Sequence, residues 1–206
     1  MTFPNKKYAD IESFVEDYFK EIKLAASSID RSKLSEAIQI LTKAYTKGTM
    51  VFTCGNGGSA AIANHLVCDH CKLVRTDTDL YSRIYSLSTT VEIITAIGND
   101  LSYDEIFKYQ LKSLAKSGDV LITISSSGDS ENIVRAANWA KQNNVPIISL
   151  TGFSGGRSAK LADVNLHVSA DNYGVIEDVH QSIMHLLAQF IRMSHMNQEL
   201  IGPRKF

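Results

Sequence analysis

The sequence predicts an α/β fold, a doubly wound parallel sheet with helices on both faces. Two observations predict it. From Met50 onward, short β-branched or apolar runs alternate with segments of helical periodicity, the pattern of successive βαβ units. Two of those runs, VFTCGNGGS at 51–59 and VLITISSSGDS at Val120–Ser130, end in clusters of Gly, Ser and Asn or Asp before a helical pattern begins. Buried strand, tight loop and helix N-terminus in succession is how a parallel sheet builds an anion pocket.

The first fifty residues read as purely helical. Ile11, Val15, Tyr18 and Ile22 form one apolar stripe, widened by Phe14 and Phe19, and Leu34, Ile38, Leu41 and Tyr45 form a second. Asp30 suits the N-cap of the second helix and Gly48 its end. The chain therefore divides into an N-terminal helical arm, 1–48, and a sheet domain, 49–206. The arm reads either as an oligomerisation element or as a cap over the sheet. In the sheet domain the expected strands are Met50–Cys54, Arg83–Leu87, Val120–Ile124, Val145–Leu150 and Val164–Val168. The expected helices are Ala60–His70, Val91–Ile97, Asp104–Ala115, Ser130–Gln142 and a long C-terminal one, Val175–Met196. Leu186, Leu187, Phe190 and Ile191 mark the later turns of that last helix as buried. GFSGG, Gly152–Gly156, has no clear helix start and reads as a connecting loop.

Composition narrows the function classes. The 206 residues are 44% hydrophobic and 21% charged, with net charge −1, ordinary for a soluble globular chain. No basic field for nucleic acid and no charged patch for a membrane is present, nor an apolar run of transmembrane length. Cys54, Cys68 and Cys71 make an odd count without a disulfide framework, which suits a reducing cytoplasm; they read as buried residues rather than as half of a structural zinc site.

The two loops carry the chemistry. Small residues let backbone N–H groups approach a ligand closely, and serine hydroxyls add donors that turn toward phosphate oxygens. Neither GxxxxGK[ST] nor GxGxxG occurs, so two hydroxyl-rich loops on one sheet point to a phosphorylated polyol rather than a nucleotide. His65 and Asp69, four residues apart on the helix after GNGGSA, share one face. Glu177, Gln181 and His185 share a face of the last helix, with His180 on a neighbouring one. These groups read either as hydrogen-bonded core and rim residues or, taken together, as a set of two imidazoles and two carboxylates suited to a divalent ion or to proton transfer near neutral pH.

At these residues the chain resembles the sugar isomerase (SIS) domain family, and within it the phosphoheptose isomerase branch. GNGGSA with His65 following it, the His-x3-acid spacing, NDLSYD at Asn99–Asp104, SSSGDS, LTGFSGG and the terminal helix carry the likeness over nearly the whole chain. The resemblance implies an aldose–ketose isomerase that converts sedoheptulose 7-phosphate to a heptose 7-phosphate for surface polysaccharide synthesis, built as a homotetramer with its sites between subunits. It implies sugar contacts from Asn56, Gly57, Gly58, Ser59, Asn99 and Asp100, and a phosphate site at Ser125, Ser126, Ser127 and Ser130. It implies Zn2+ at His65, Asp69, Glu177 and His185, with Asp69 and His185 as the acid–base pair and Asp69 and Glu177 also near the substrate. Two departures are visible: the family usually has Glu at Asp69 and Gln at Glu177. A shorter acid and an added negative charge would shift the base by about a methylene and change the charge balance of a bound metal. The rival expectation is a non-catalytic SIS-domain protein, since related branches sense sugar phosphates or associate with the replication initiator.

Overall fold

In the computed structural model, which describes residues 2–206, β1 (Met50–Gly55), β2 (Arg83–Ser86), β3 (Val120–Ser125), β4 (Ile147–Thr151) and β5 (Val164–His167) form one sheet. All pairs are parallel, in the order β2-β1-β3-β4-β5. The order reverses between β1 and β3, which makes the crevice above their carboxyl ends the ligand position expected of an open α/β sheet. Gly55 pairs with Ile124, so the loops that follow the two strands begin side by side.

Alternation along the strands separates two cores. Val51, Ile122, Ile124, Ile148 and Leu150 face α2 (Arg31–Lys47), α3 (Gly58–Cys68) and α8 (Tyr173–His195). Phe52, Cys54, Leu121 and Ile147 face α5 (Ile106–Leu114), α6 (Glu131–Gln142) and the buried end of α4 (Val91–Asp100) at Ile97. Leu41, Ala37 and Ala44 of α2 belong to the first core and are fully or almost fully buried. Asp30 caps that helix through Ser32 N at 2.8 Å, and Gly48 ends it in the left-handed region at φ 65°. Before it, α1 (Ile11–Ser27) lies along α8, tied by the Tyr18 hydroxyl donating to Asp178 at 2.7 Å.

Several expectations are corrected. The helix after GNGGSA becomes a wider π-type turn over Asp69–Leu73, closed by Val74 N–H donating to the Asp69 carbonyl at 3.1 Å. GFSGG is not merely a connection: a short helix, α7 (Gly156–Leu161), starts on it. Two consecutive glycines in left-handed conformations, Gly155 (φ 81°) and Gly156 (φ 59°), permit that abrupt start. The segment expected as one helix from Asp104 opens with a 3-10 turn, Tyr103–Glu105. Leu186 and Phe190 are exposed, at 54% and 49%, rather than buried; they flank the buried stripe of α8 that runs through Ile183 and Leu187 instead of lying within it. Of the cysteines only Cys54 is buried, because Cys68 and Cys71 stand on the outer side of the π turn.

α2 anchors the N-terminal helices to the sheet through Leu41. Replacing Leu41 with Ala is expected to cost about 2–5 kcal/mol, the range for emptying a closed core site. Urea unfolding compared with the parent checks this, and a loss near zero would mean α2 is only loosely attached.

Candidate active site

The first loop leaves β1 at Gly55 and enters α3 through Gly57, whose φ of 54° belongs to the left-handed region. A Cβ on Gly58 would collide with the Glu177 carboxylate, so glycine here lets α8 lay an acid directly over the loop. Asn56 is fixed rather than free. Its amide exchanges two hydrogen bonds with Asn132, at 2.9 and 3.0 Å, and its oxygen also accepts from the Tyr103 hydroxyl at 2.9 Å. Ser59 is buried behind it.

The second loop leaves β3 at Ser125. Gly128 N–H donates to Ser125 Oγ at 3.1 Å, and Asp129 N–H to Ser127 Oγ at 3.3 Å. Ser126 Oγ is buried with no partner in the protein, and Ser130, the N-cap of α6, makes no side-chain capping bond. Two hydroxyls left without protein partners, beside the N-terminus of a three-turn helix, provide donors for an anion. The loop is buttressed from behind by GFSGG. Ser158 N–H donates to the Gly128 carbonyl at 2.8 Å, and a Cβ on either Gly128 or Gly156 would drive into the other loop's backbone. At its edge a chain of alternating charges runs Glu105–Arg135–Glu131–Arg157–Asp129, with contacts of 2.7, 2.8, 2.8 and 2.6 Å. It ties the 3-10 turn, the start of α6 and α7 to the serine loop.

The two helices named from the sequence do converge. His65, Asp69 and His185 each offer a ligand atom within 4.8 Å of the others. His185 Nδ1 lies 2.7 Å from Asp69 Oδ2, and His65 Nε2 3.5 Å from Asp69 Oδ1. The imidazole rings meet edge-on with centroids 5.1 Å apart. Asp69 continues the regular turn of α3, its N–H donating to the His65 carbonyl, so it stands one turn beyond His65 facing His185. The next residue, His70, about 100° further round, turns inward to bond the Tyr45 hydroxyl at 2.6 Å. Glu177 does not join the group. It precedes His185 by eight residues, about 12 Å along the helix axis, and Gln181 stands between them. Its carboxylate instead covers Gly58, where burial raises its pKa above the ordinary value and neighbouring Asp178 adds to the rise. Two imidazoles and a carboxylate fit a borderline-soft divalent ion by donor type.

Asn99 and Asp100, at the exposed end of α4, bond each other at 2.8 Å and do not reach the cluster within one chain. The NDLSYD segment touches the first loop through Tyr103 instead. Sequence reasoning missed Tyr103, Asn132 and the charge chain, all of which depend on contacts distant along the chain. Gln181 was visible on the face of Glu177 and His185, but not its contact with both imidazoles at 3.0 Å.

A loop with free hydroxyls at the strand-order switch and an imidazole–carboxylate cluster between the end of α3 and α8 are the parts of an α/β domain suited to hold an anion and to move protons. Comparison with known proteins agrees with that class. Residues 17–152 match the SIS domain family. A phosphoheptose isomerase of Colwellia psychrerythraea is 35% identical over 174 residues, 83% of this chain and 88% of the relative. The solved phosphoheptose isomerase of Neisseria gonorrhoeae superposes with a TM-score of 0.81 at 30% identity, covering 88% of this chain and 98% of that one. For that of Francisella tularensis the values are 0.79 and 31%, over 89% and 96%. The chain belongs to the SIS-domain family, in its phosphoheptose isomerase branch.

His180 lies outside the cluster, buried, its Nε2 3.2 Å from the Thr151 carbonyl and its Nδ1 without a partner. Burial, aided by nearby His167, lowers its pKa to about 4. The unfolded chain protonates it near the ordinary value of about 6.5, so between these values the unfolded state holds more protons and stability rises with pH. The stabilising contribution is complete above about 6.5 and is lost as pH falls toward 4. His180→Gln is expected to flatten the stability–pH curve between pH 5 and 7, measured by denaturant midpoints; an unchanged slope would contradict the assignment.

Proposed function

We infer that the protein interconverts sedoheptulose 7-phosphate and an aldoheptose 7-phosphate through an enediol(ate). The observation that supports this most directly is the Asp69–His185 contact of 2.7 Å between the turn that ends α3 and α8, a hydrogen-bonded acid–base pair in the site of an isomerase-branch SIS domain. A pure binding protein has no use for such a pair. The phosphate lodges on Ser125, Ser126, Ser127 and Ser130, where unpartnered hydroxyls and the start of α6 accept its charge. Fixing the far end of the sugar in this way converts binding energy into orientation at C1 and C2. Asn56, Gly57, Gly58 and Ser59, with Glu177 above them, line the polyol, and Asn99 and Asp100 approach it from the edge of the sheet.

One member of the Asp69–His185 pair removes the proton from C1 of the ketose, leaving an enediolate across C1–C2, and a proton returns to C2 to give the aldose. The other member carries the proton between O1 and O2, and the roles exchange with direction. His65, Asp69 and His185 are the residues suited to hold a divalent cation, zinc by donor type. Such an ion supplies positive charge that stabilises the developing oxyanion. Asp69 leaves a shorter arm than the Glu usual in the branch, yet it reaches His185 Nδ1 at 2.7 Å.

We also assign a homotetramer of the kind the branch resemblance implies. Ile11, Val15 and Phe19 of α1 and Leu186, Phe190 and Met193 of α8 leave apolar side chains 37–65% exposed in one chain, surface of the kind partner subunits cover. No helix among the described residues is long and apolar enough to cross a membrane, and unpaired thiols with a metabolite substrate suit the cytoplasm.

Two experiments test the site and the assembly. Ser126→Ala removes a hydroxyl that bonds nothing in the protein, so it should leave the thermal midpoint nearly unchanged while raising KM for the sugar phosphate severalfold. In the same assay His185→Ala should lower kcat by at least about 100-fold, the scale of a lost general acid–base group. Parent-like kinetics in either variant would remove that residue from the site. Light scattering should give four times the chain mass, and a stable, active monomer would refute the tetramer.

A further inference from the structure

Gln181 has no part in the isomerisation as derived and is not a ligand in the cation set, yet it touches both imidazoles. Its amide nitrogen lies 3.0 Å from His65 Nδ1 and 3.0 Å from His185 Nε2. The remaining nitrogens of those rings face the two oxygens of one carboxylate, His185 Nδ1 at 2.7 Å from Asp69 Oδ2 and His65 Nε2 at 3.5 Å from Asp69 Oδ1. Four side chains thus close a cycle: Asp69, His185, Gln181, His65. A neutral imidazole has one N–H and one lone pair, and a carboxylate only accepts. Both N–H groups therefore point at Asp69, and both lone pairs at the amide NH2, which has two protons to donate.

A divalent cation held by His65, Asp69 and His185 inverts this pattern. It requires the lone pairs of His65 Nε2 and His185 Nδ1, which already converge on the carboxylate. Each imidazole proton then belongs on the far nitrogen, and both point at Gln181. An amide NH2 cannot accept them. The amide oxygen can accept two, and half a turn about the terminal side-chain torsion exchanges oxygen for nitrogen with almost no change of shape.

The geometry points to Gln181 as a positioning residue whose amide donates to both imidazoles in the cation-free protein and turns over to accept from both when a divalent cation is bound, so that its acceptor oxygen sets the affinity of the site. This rests on the reading of His65, Asp69 and His185 as a cation site. Partners of this kind behind a ligating histidine are worth about 10–100-fold in metal affinity.

The test measures Zn2+ affinity by competition with a chromogenic chelator for the full-length parent, Gln181→Met and Gln181→Glu. It is joined by 15N NMR of the imidazole tautomers, with and without Zn2+. Met approximates the shape of Gln with no donor and only a weak thioether acceptor; Glu keeps a strong acceptor. Affinity should fall about 10–100-fold in Gln181→Met and be equal to or tighter than the parent in Gln181→Glu, with thermal midpoints showing that all three are folded. In the parent, the ring protons should move from His65 Nε2 and His185 Nδ1 to His65 Nδ1 and His185 Nε2 on loading. Parent-like affinity in Gln181→Met overturns the role of Gln181 and leaves the cation site standing, whereas a loaded protein whose His185 keeps its proton on Nδ1 overturns both the role of Gln181 and the ligand atom assigned to His185. A parent that takes up no Zn2+ overturns the cation reading, and this inference falls with it.

Discussion

The pairing of β1 with β3 is the constraint on which the rest of the structure depends. Because Gly55 and Ile124 are partners in parallel register, the glycine loop and the serine loop leave the sheet as neighbours and launch α3 and α6 from a common crevice. The reversal of strand order at that point keeps any crossover helix from filling it. α8 then returns along the same face as α3, and the side chains that meet between those helices are His65, Asp69 and His185. A slip of one residue in that single pairing would turn every inward side chain of the slipped strand outward and offset the two loops.

Rigidity around the crevice comes from backbone more than from charge. Gly128 and Gly156 bring two loops close enough that any side chain would collide, and Asn56 and Asn132 lock the first loop to α6. The ion pairs from Glu105 to Asp129 are partly solvated, and such pairs are individually worth about 0–1 kcal/mol. Linked in series across four segments, they restrict where the serine loop can go. The hydroxyl of Ser126 is left buried and unpartnered in that fixed frame, a local cost of the kind found where a ligand group completes the bonding.

Much of this was legible in the sequence because it is encoded locally. All five strands fall within two residues of their expected starts, since each is a β-branched run bounded by turn residues. Caps such as Asp30 and Gly48 act on their own helix ends. The convergence of His65 and Asp69 with His185 was readable only as two faces and a family likeness. Other features escaped because tertiary contacts decide them. The short α7 depends on two left-handed glycines packed against another loop, and Asn132 on a partner seventy-six residues away. Leu186 and Phe190 look buried by type but flank the buried stripe of α8. Glu177 and Gln181 share a stripe with His185, yet spacing along one helix does not reveal which of them reaches a neighbour on another.

The widened turn at Asp69–Leu73 has a consequence for how this segment can vary. Its carbonyl-to-amide closure spans five residues instead of four, so it holds one residue more than a regular helix of the same rise. The surplus lies after the two residues that make the long-range contacts, Asp69 toward α8 and His70 into the core beside Tyr45, whose directions are set as α3 ends. Deleting a residue after His70 would draw the surplus out into regular helix and leave both contacts in place, whereas deleting Asp69 or His70 removes one of them outright. The segment is therefore more tolerant of a change in length after His70 than of a change in identity at Asp69 or His70.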